Sequence, residues 1–255
     1  MCYDIKASLE SQLKRAKRYN NVAAILEIEQ KLLPYLDLPL NHASGFAHPK
    51  ILVYPSQSPT IPIIAQWGLI PHWVRDQEQK SKLWNSTINA RLETLLEKPS
   101  FRDAAKDKRC LIYVDGFFEH HHYNKKTYPF YITRKDHTPI CIAGIWSEWA
   151  SRETGEIITS FALVTTKGHG MMAKIHNNPK LKEPRMPLIL ANEESAMQWL
   201  NTGSTQAAPL NQLIIESKEI DLEAHTVQRL RGKAYLGNVP EVTQTFDYSE
   251  LSLAL

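Results

Sequence analysis

Apolar residues recur near the start of the chain at Leu9, Leu13, Ala16, Ala23, Leu26 and Leu33, spaced by Lys, Arg, Glu and Gln. Such intervals place them along one side of a helix, so the spacing predicts a helix with a polar outer face over about 7–33, weakened near Tyr19, Asn20 and Asn21 and ended by Pro34. The pattern then shortens. Prolines 49, 55, 59 and 62 punctuate apolar runs over 41–62, which reads as short strands and turns, and IIAQWGLIPHW over 63–73 adds a strand closed by Pro71. Residues 74–82 are polar and read as a loop or lid.

In STINARLET, residues 86–94, Asn89, Arg91 and Glu93 alternate with Ala90 and Leu92, which brings the three polar side chains to one face if the stretch is extended. Residues 95–106 read as a short helix. Further strands are predicted at 110–114, in the segment holding Phe118 and Glu119 beyond an Asp115–Gly116 turn or bulge, and at 128–133, 139–146 and 157–166. Prolines 179, 184 and 187 exclude a helix through 174–190, leaving His176 at a loop or strand end before a strand at 188–190. Asn192 reads as the N-cap of a helix to about 200, residues 203–209 as a loop, and the remainder as strands leading to a tail.

Composition narrows the class. At 255 residues with 43% hydrophobic and 22% charged side chains, the chain is an ordinary globular sequence of one large domain or two small ones. A formal charge of +3 neither requires nor excludes a nucleic-acid partner. The three cysteines, Cys2, Cys110 and Cys141, are odd in number and widely spaced, against both a disulfide framework and a cysteine zinc site. The first residues carry no secretory pattern and no apolar run approaches the ~18 residues of a membrane span, so the expectation is a soluble protein of a reducing cytoplasm with no membrane partner.

Several side chains carry candidate chemistry. Removal of Met1 would leave Cys2 with an amine and a thiol two carbons apart, able to close on one aldehyde first as an imine and then as a five-membered ring; alternatively Cys2 is a chance cysteine on a frayed terminus. Asn89 could orient a reacting group and Arg91 could hold a phosphate, or the stretch could be a plain surface edge. Glu119 lies between Phe117, Phe118 and a histidine run; it is either a desolvated acid of raised pKa or a solvated hairpin carboxylate. Of the three consecutive histidines only His120 and His122 share a strand face, and no second ligand cluster accompanies them, so no metal site is expected. Trp67 reads as core, whereas Trp73 follows a turn and could stack on a nucleobase.

Taken in order, MC, WGLIPHW, NARLET, RCLIYVDGFFEHH, IAGIW and IH followed by RMPLIL resemble the SRAP family, the SOS response-associated peptidases or abasic-site-crosslinking proteins. The resemblance implies an α+β fold with a barrel-like antiparallel β core and flanking helices, with 1–240 as a single domain, the N-terminal helix packed on it, and 241–255 as a tail. It implies covalent capture of abasic sites in single-stranded DNA through a thiazolidine on Cys2. Asn89 would orient the N-terminus, Glu119 would be the general acid and base, and His176 would act in sugar opening and Schiff-base chemistry. Arg91, Trp73 and Arg185 would contact DNA. No metal or organic cofactor is implied; the partner is single-stranded DNA with abasic sites, and the protein is expected to be a monomer.

Two alternatives stay open: a cysteine peptidase using Cys2 and His176, and a non-covalent single-strand-binding module. The chain also departs from the family's usual MCGR start. Tyr3 and Asp4 stand there, and Asp4 is expected to repel a phosphate beside the nucleophile. His120 replaces the usual tryptophan after the glutamate, and NHASGFAHP over 41–49 stands where a YNVAPG stretch is usual.

Overall fold

The computed structural model describes residues 2–201 and 207–251. The chain opens with a strand, β1 (Asp4–Ala7), and two helices, α1 (Leu9–Arg18) and α2 (Val22–Glu27). Ser8 caps α1 by accepting from Ser11 N, and its own backbone N–H and hydroxyl donate to the Asp115 carboxylate at 2.5 and 2.8 Å. The turn anticipated at Asp115 therefore fixes where β1 stops and the helix begins. Leu13 and Ala16 are buried as the spacing requires, but so are Gln12 and Arg15, while Leu26 is exposed. The reason is a polar seam: Gln12 Oε1 accepts from Leu52 N at 2.7 Å, and Arg15 pairs with Glu193 at 2.9 Å.

The next elements are β2 (Leu40–Ser44), β3 (Lys50–Pro55), β4 (Ile63–Trp67), α3 (Gln77–Trp84) and β5 (Asn89–Arg91). They are followed by α4 (Arg102–Asp107), β6 (Arg109–Val114), β7 (Gly116–Tyr123), β8 (Lys126–Arg134), β9 (Ile140–Ala150) and β10 (Ile157–Lys167). After α5 (Gly170–Ile175) come β11 (Arg185–Pro187), α6 (Glu193–Asn201), α7 (Ala207–Ser217) and β12 (Leu222–Thr226). No helix among the described residues is long and apolar enough to cross a membrane.

Strands β10, β4, β3, β6 and β9 hydrogen-bond in that order, and β9 pairs back to β10, closing a five-stranded barrel. The barrel is antiparallel except where β10 runs parallel to β4, and β5 adds a second parallel pairing further along β10. A separate five-stranded antiparallel sheet has the order β12-β8-β7-β1-β2. This is the α+β architecture with a barrel-like core and flanking helices. Alternation along the strands makes the layers: Ile51 and Val53 join a core shared with Phe117, Phe130 and Ile132 of the second sheet, while Tyr54 of the same strand faces the apolar cluster built on α4 and α6. Close approach at one point requires glycine, since a Cβ on Gly144 of β9 would stand 2.1 Å from Ile112 Cδ1.

Four expectations shift. The loop or lid over 74–82 is largely α3, a helix without an apolar stripe; Asp76 caps it by accepting from Gln79 N, and Trp84 stacks on His48 with ring centroids 3.7 Å apart. The helix over 95–106 begins only at Arg102, because Pro99 interrupts it. The 188–190 strand is preceded by β11, after which Leu188 N donates to Val164 O and Leu190 N to Cys141 O, carrying the chain from β10 across to β9. Of the loop over 203–209, residues 203–206 lie outside the described residues, and α7 begins at Ala207 within that loop and runs to Ser217 where strands were expected. Past 240 the chain folds back: Tyr248 Oη donates to Val227 O, and Leu251 is buried in the shared core.

Candidate active site

The site begins with β1, which lies inside its sheet between β7 and β2, with Asp4 in register with Phe118 on one side and Ser44 on the other. An interior strand holds its first residues through two neighbours, so Cys2 is not frayed; it is fully buried, and its thiol lies 3.8 Å from Asp4 O. Burial pushes the thiol well above its ordinary pKa, and the nearby charge of Glu119 adds to the effect.

Asn89 comes from the other sheet. On β5, in register with Leu163 of β10, it sends its Nδ2 to donate to Cys2 O at 2.8 Å. Its Oδ1 is buried and has no hydrogen-bond partner among the described residues. Arg91, two residues along the strand, is exposed, and its charge opposes the upward push of burial on the Tyr3 phenol. Ring centroids of Tyr3 and the exposed Phe46 lie 5.1 Å apart.

Glu119, on β7 in register with Phe130 of β8, is 5% exposed, and its Oε1 accepts from His120 N at 3.0 Å. Burial is the largest influence on its carboxyl and pushes the pKa up to about 7. His176 follows α5 directly, and its Nδ1 accepts from Arg185 N at 2.8 Å. An imidazole nitrogen that accepts from a backbone N–H carries no proton, so the proton of the neutral ring sits on Nε2, 3.8 Å from Glu119 Oε2. Burial pulls the His176 pKa down to about 3, so the contact is between a neutral imidazole and an acid rather than an ion pair.

Glu119 and His176 border a cleft of about 360 Å³ that they line together with Tyr3, His120, His122, Asn178, Arg229 and Arg231, while Cys2 and Asn89 are not part of its lining. His120 and His122 face it, whereas His121 turns away and hydrogen-bonds Lys174 O, as strand alternation requires. Cys2, Asn89, Glu119 and His176 thus converge. Trp73 does not: half-buried, it packs with Ile70, Val74 and Trp149, and its Nε1 donates to Pro99 O at 3.2 Å. Nor does Arg185 reach the cleft wall; it is 1% exposed, its guanidinium bound to both oxygens of Glu93 at 2.8 and 2.9 Å and to Thr165 O at 2.8 Å.

Sequence reading missed one cluster altogether. Asp4 is 2% exposed; its Oδ1 lies 3.1 Å from His42 Nε2, and Arg231 Nη2 donates to both carboxylate oxygens at 3.3 and 3.2 Å. Burial alone would raise the Asp4 pKa, but the hydrogen bond and charge of His42, with the charge of Arg231, outweigh it and hold the carboxyl below its ordinary value. Asp4 is therefore not the bare repulsive charge that its position implied. Its partners lie 38 and 227 residues away, and no local pattern announces them.

A small mixed barrel thus holds the backbone carbonyl of residue 2 from the opposite sheet and brings that residue near a buried carboxyl and a buried imidazole. The chain belongs to the SOS response associated peptidase (SRAP) family, whose model matches residues 14–234. It is 34% identical over 212 residues to the abasic site processing protein YoqW of Bacillus subtilis, spanning 79% of this chain and 88% of that one. The abasic site processing protein HMCES of Xenopus tropicalis is 29% identical over 167 residues, 58% of this chain and 48% of that protein. A crystal structure of a Bacteroides thetaiotaomicron protein superimposes with a TM-score of 0.78 at 30% identity, covering 96% of this chain and all of the other.

Proposed function

We propose that this chain captures abasic sites in single-stranded DNA through Cys2 once Met1 has been removed, forming a thiazolidine. The observation that carries the reading is the Asn89 carboxamide bonded across the sheets to Cys2 O at 2.8 Å, which fixes residue 2 beside the Glu119 and His176 pair. Two relatives that carry the name abasic site processing protein support the substrate class.

In this reading the cyclic deoxyribose opens when Glu119, its pKa pushed up to about 7 by burial, donates to the ring oxygen while the anomeric hydroxyl gives up its proton. His176, neutral with its proton on Nε2, offers a hydrogen-bond donor within the same cleft. The neutral amine of residue 2 attacks the aldehyde carbon to give a carbinolamine, and Glu119 protonates the departing hydroxyl so that water leaves and an imine forms. The Cys2 sulfur then adds to the imine carbon as its proton passes to the nitrogen, closing the ring; amine, thiol and aldehyde become thiazolidine and water. Burial keeps the thiol protonated, so the amine leads and the sulfur follows. The Oδ1 of Asn89 is the acceptor for the residue-2 amine. Arg91 holds a phosphate. Stacking of a flanking base falls to Tyr3 and Phe46 rather than to Trp73, and Arg185 braces the His176 segment rather than touching DNA.

Uracil-containing single strands treated with a uracil glycosylase are expected to yield a heat-stable adduct on a denaturing gel with the processed protein, and none with Cys2→Ala. An adduct that persists in Cys2→Ala, or a purified protein that forms adduct while mass spectrometry finds Met1 retained, would falsify this mechanism.

A further inference from the structure

We propose that Arg231 is a phosphate-binding residue of the cleft and that Asp4 is the residue that positions it. The proposal rests on reading the cleft as a DNA site. An abasic nucleotide lacks a base, so the handles left for recognition are the sugar and the phosphates on either side of it. A site for such a nucleotide therefore needs a fixed cation close to the reacting carbon.

Arg231 meets that need in three respects. It lines the cleft with Glu119 and His176, and its side chain is 60% exposed. Only Nη2 is engaged, by Asp4; Nε and Nη1 make no hydrogen bond among the described residues, leaving a planar pair of donors of the kind that matches phosphate oxygens. The backbone is also pinned, because Leu230 is buried against Phe118, Tyr131 and Val227, while Arg229 on its other side lines the same cleft. Among the described lining residues Glu119 is the only acid, against the two arginines Arg229 and Arg231.

Asp4 is what holds one end of the guanidinium. A carboxylate kept out of water needs partners, and here they form one chain: Tyr235 Oη lies 2.7 Å from His42 Nδ1, His42 Nε2 lies 3.1 Å from Asp4, and Asp4 accepts from Arg231. His42 thus bridges Tyr235 and Asp4 through its two ring nitrogens. Arg231 meets the carboxylate from its other side. Asp4 opens β1 two residues after Cys2, so the anchor of the phosphate grip and the nucleophile share one short run of chain.

The test uses fluorescence anisotropy of the processed protein on an intact single-stranded oligonucleotide, titrated over salt. Loss of one phosphate contact lowers the log–log salt slope by about 0.7, equivalent to about fivefold in affinity at 0.1 M salt. Arg231→Gln is expected to show both, for any sequence, and Arg231→Lys to recover most of the slope. Asp4→Asn is expected to weaken binding alone but to add nothing in the Arg231→Gln background, whereas a merely structural Asp4 would impose the same loss in both. The double variant Asp4→Asn/Arg231→Gln strands no buried charge, and its thermal melt checks that the fold is kept. Wild-type affinity and slope in Arg231→Gln would overturn the phosphate role; an equal loss from Asp4→Asn in both backgrounds would overturn the positioning role. Capture is read separately on the adduct gel: a wild type that forms no adduct but shows the Arg231 effect removes only the Cys2 mechanism, and one that binds no single strand overturns both.

Discussion

Replacing Glu119 by glutamine is expected to stabilise the protein at alkaline pH while disabling it. Glu119 is 5% exposed, and its pKa rises from the ordinary 4.5 to about 7 because burial penalises the charged form. Between those values the folded protein holds a proton that the unfolded chain has released, so stability falls as pH rises across the window. At about 1.4 kcal/mol per pH unit the loss reaches about 3 kcal/mol by pH 8. The contribution is fully present below the unfolded value of 4.5 and gone once pH passes the folded value near 7. Glutamine is neutral throughout and keeps the shape, so it escapes this loss. Urea unfolding of wild type and Glu119→Gln at steps from pH 4.5 to 8.5 should therefore give curves that diverge, with the variant gaining about 3 kcal/mol on the wild type across the range. Adduct formation by the variant should be slowed severely at every pH, since the amide can neither donate nor accept the proton at the sugar. Parallel stability curves would refute the reasoning, because they would mean that Glu119 titrates alike in folded and unfolded chains.

Two further substitutions separate architecture from chemistry. Arg185→Met should cost about 2 kcal/mol by thermal or urea unfolding, below the usual figure for a broken buried pair because Glu93 is half-exposed and can rehydrate, and should leave the salt dependence of single-strand binding unchanged; a reduced slope would instead make Arg185 a phosphate ligand. Gly144→Ala should destabilise by about 1–3 kcal/mol, since its Cβ would press on Ile112 Cδ1, Cys110 Sγ and Ala162 O, while the folded fraction keeps the wild-type adduct rate.

The strands were legible because period-two alternation is a local property: Asn89 and Arg91 share a face of β5, and His120 and His122 share the cleft side of β7, as their spacing required. The cap at Asn192 was legible for the same reason, with its Oδ1 accepting from Ser195 N. Helix α3 was hidden because its sequence carries charges rather than an apolar stripe, and its support comes from Trp84 stacking on a histidine 36 positions earlier. Arg185 misled because an arginine in a proline-rich segment looks solvent-facing, yet Glu93 and Thr165 draw it inside. The Asp4, His42 and Arg231 cluster had no sequence signal, since each residue alone is an ordinary surface type and only the tertiary fold brings them together.

The Asn89 bond to Cys2 O joins the barrel to the five-stranded sheet, and the other pair divides likewise, Glu119 standing on β7 and His176 leading into β11. Each half of the architecture carries one member of each couple, so neither half alone holds a complete set. Under the proposed chemistry, a chain still assembling on or off the ribosome has a thiol but no oriented amine and no tuned acid. Docking of the two sheets is then what assembles the orienting group and the proton carrier, so it is the assisted capture, not the intrinsic aminothiol reactivity of residue 2, that depends on the molecule being whole.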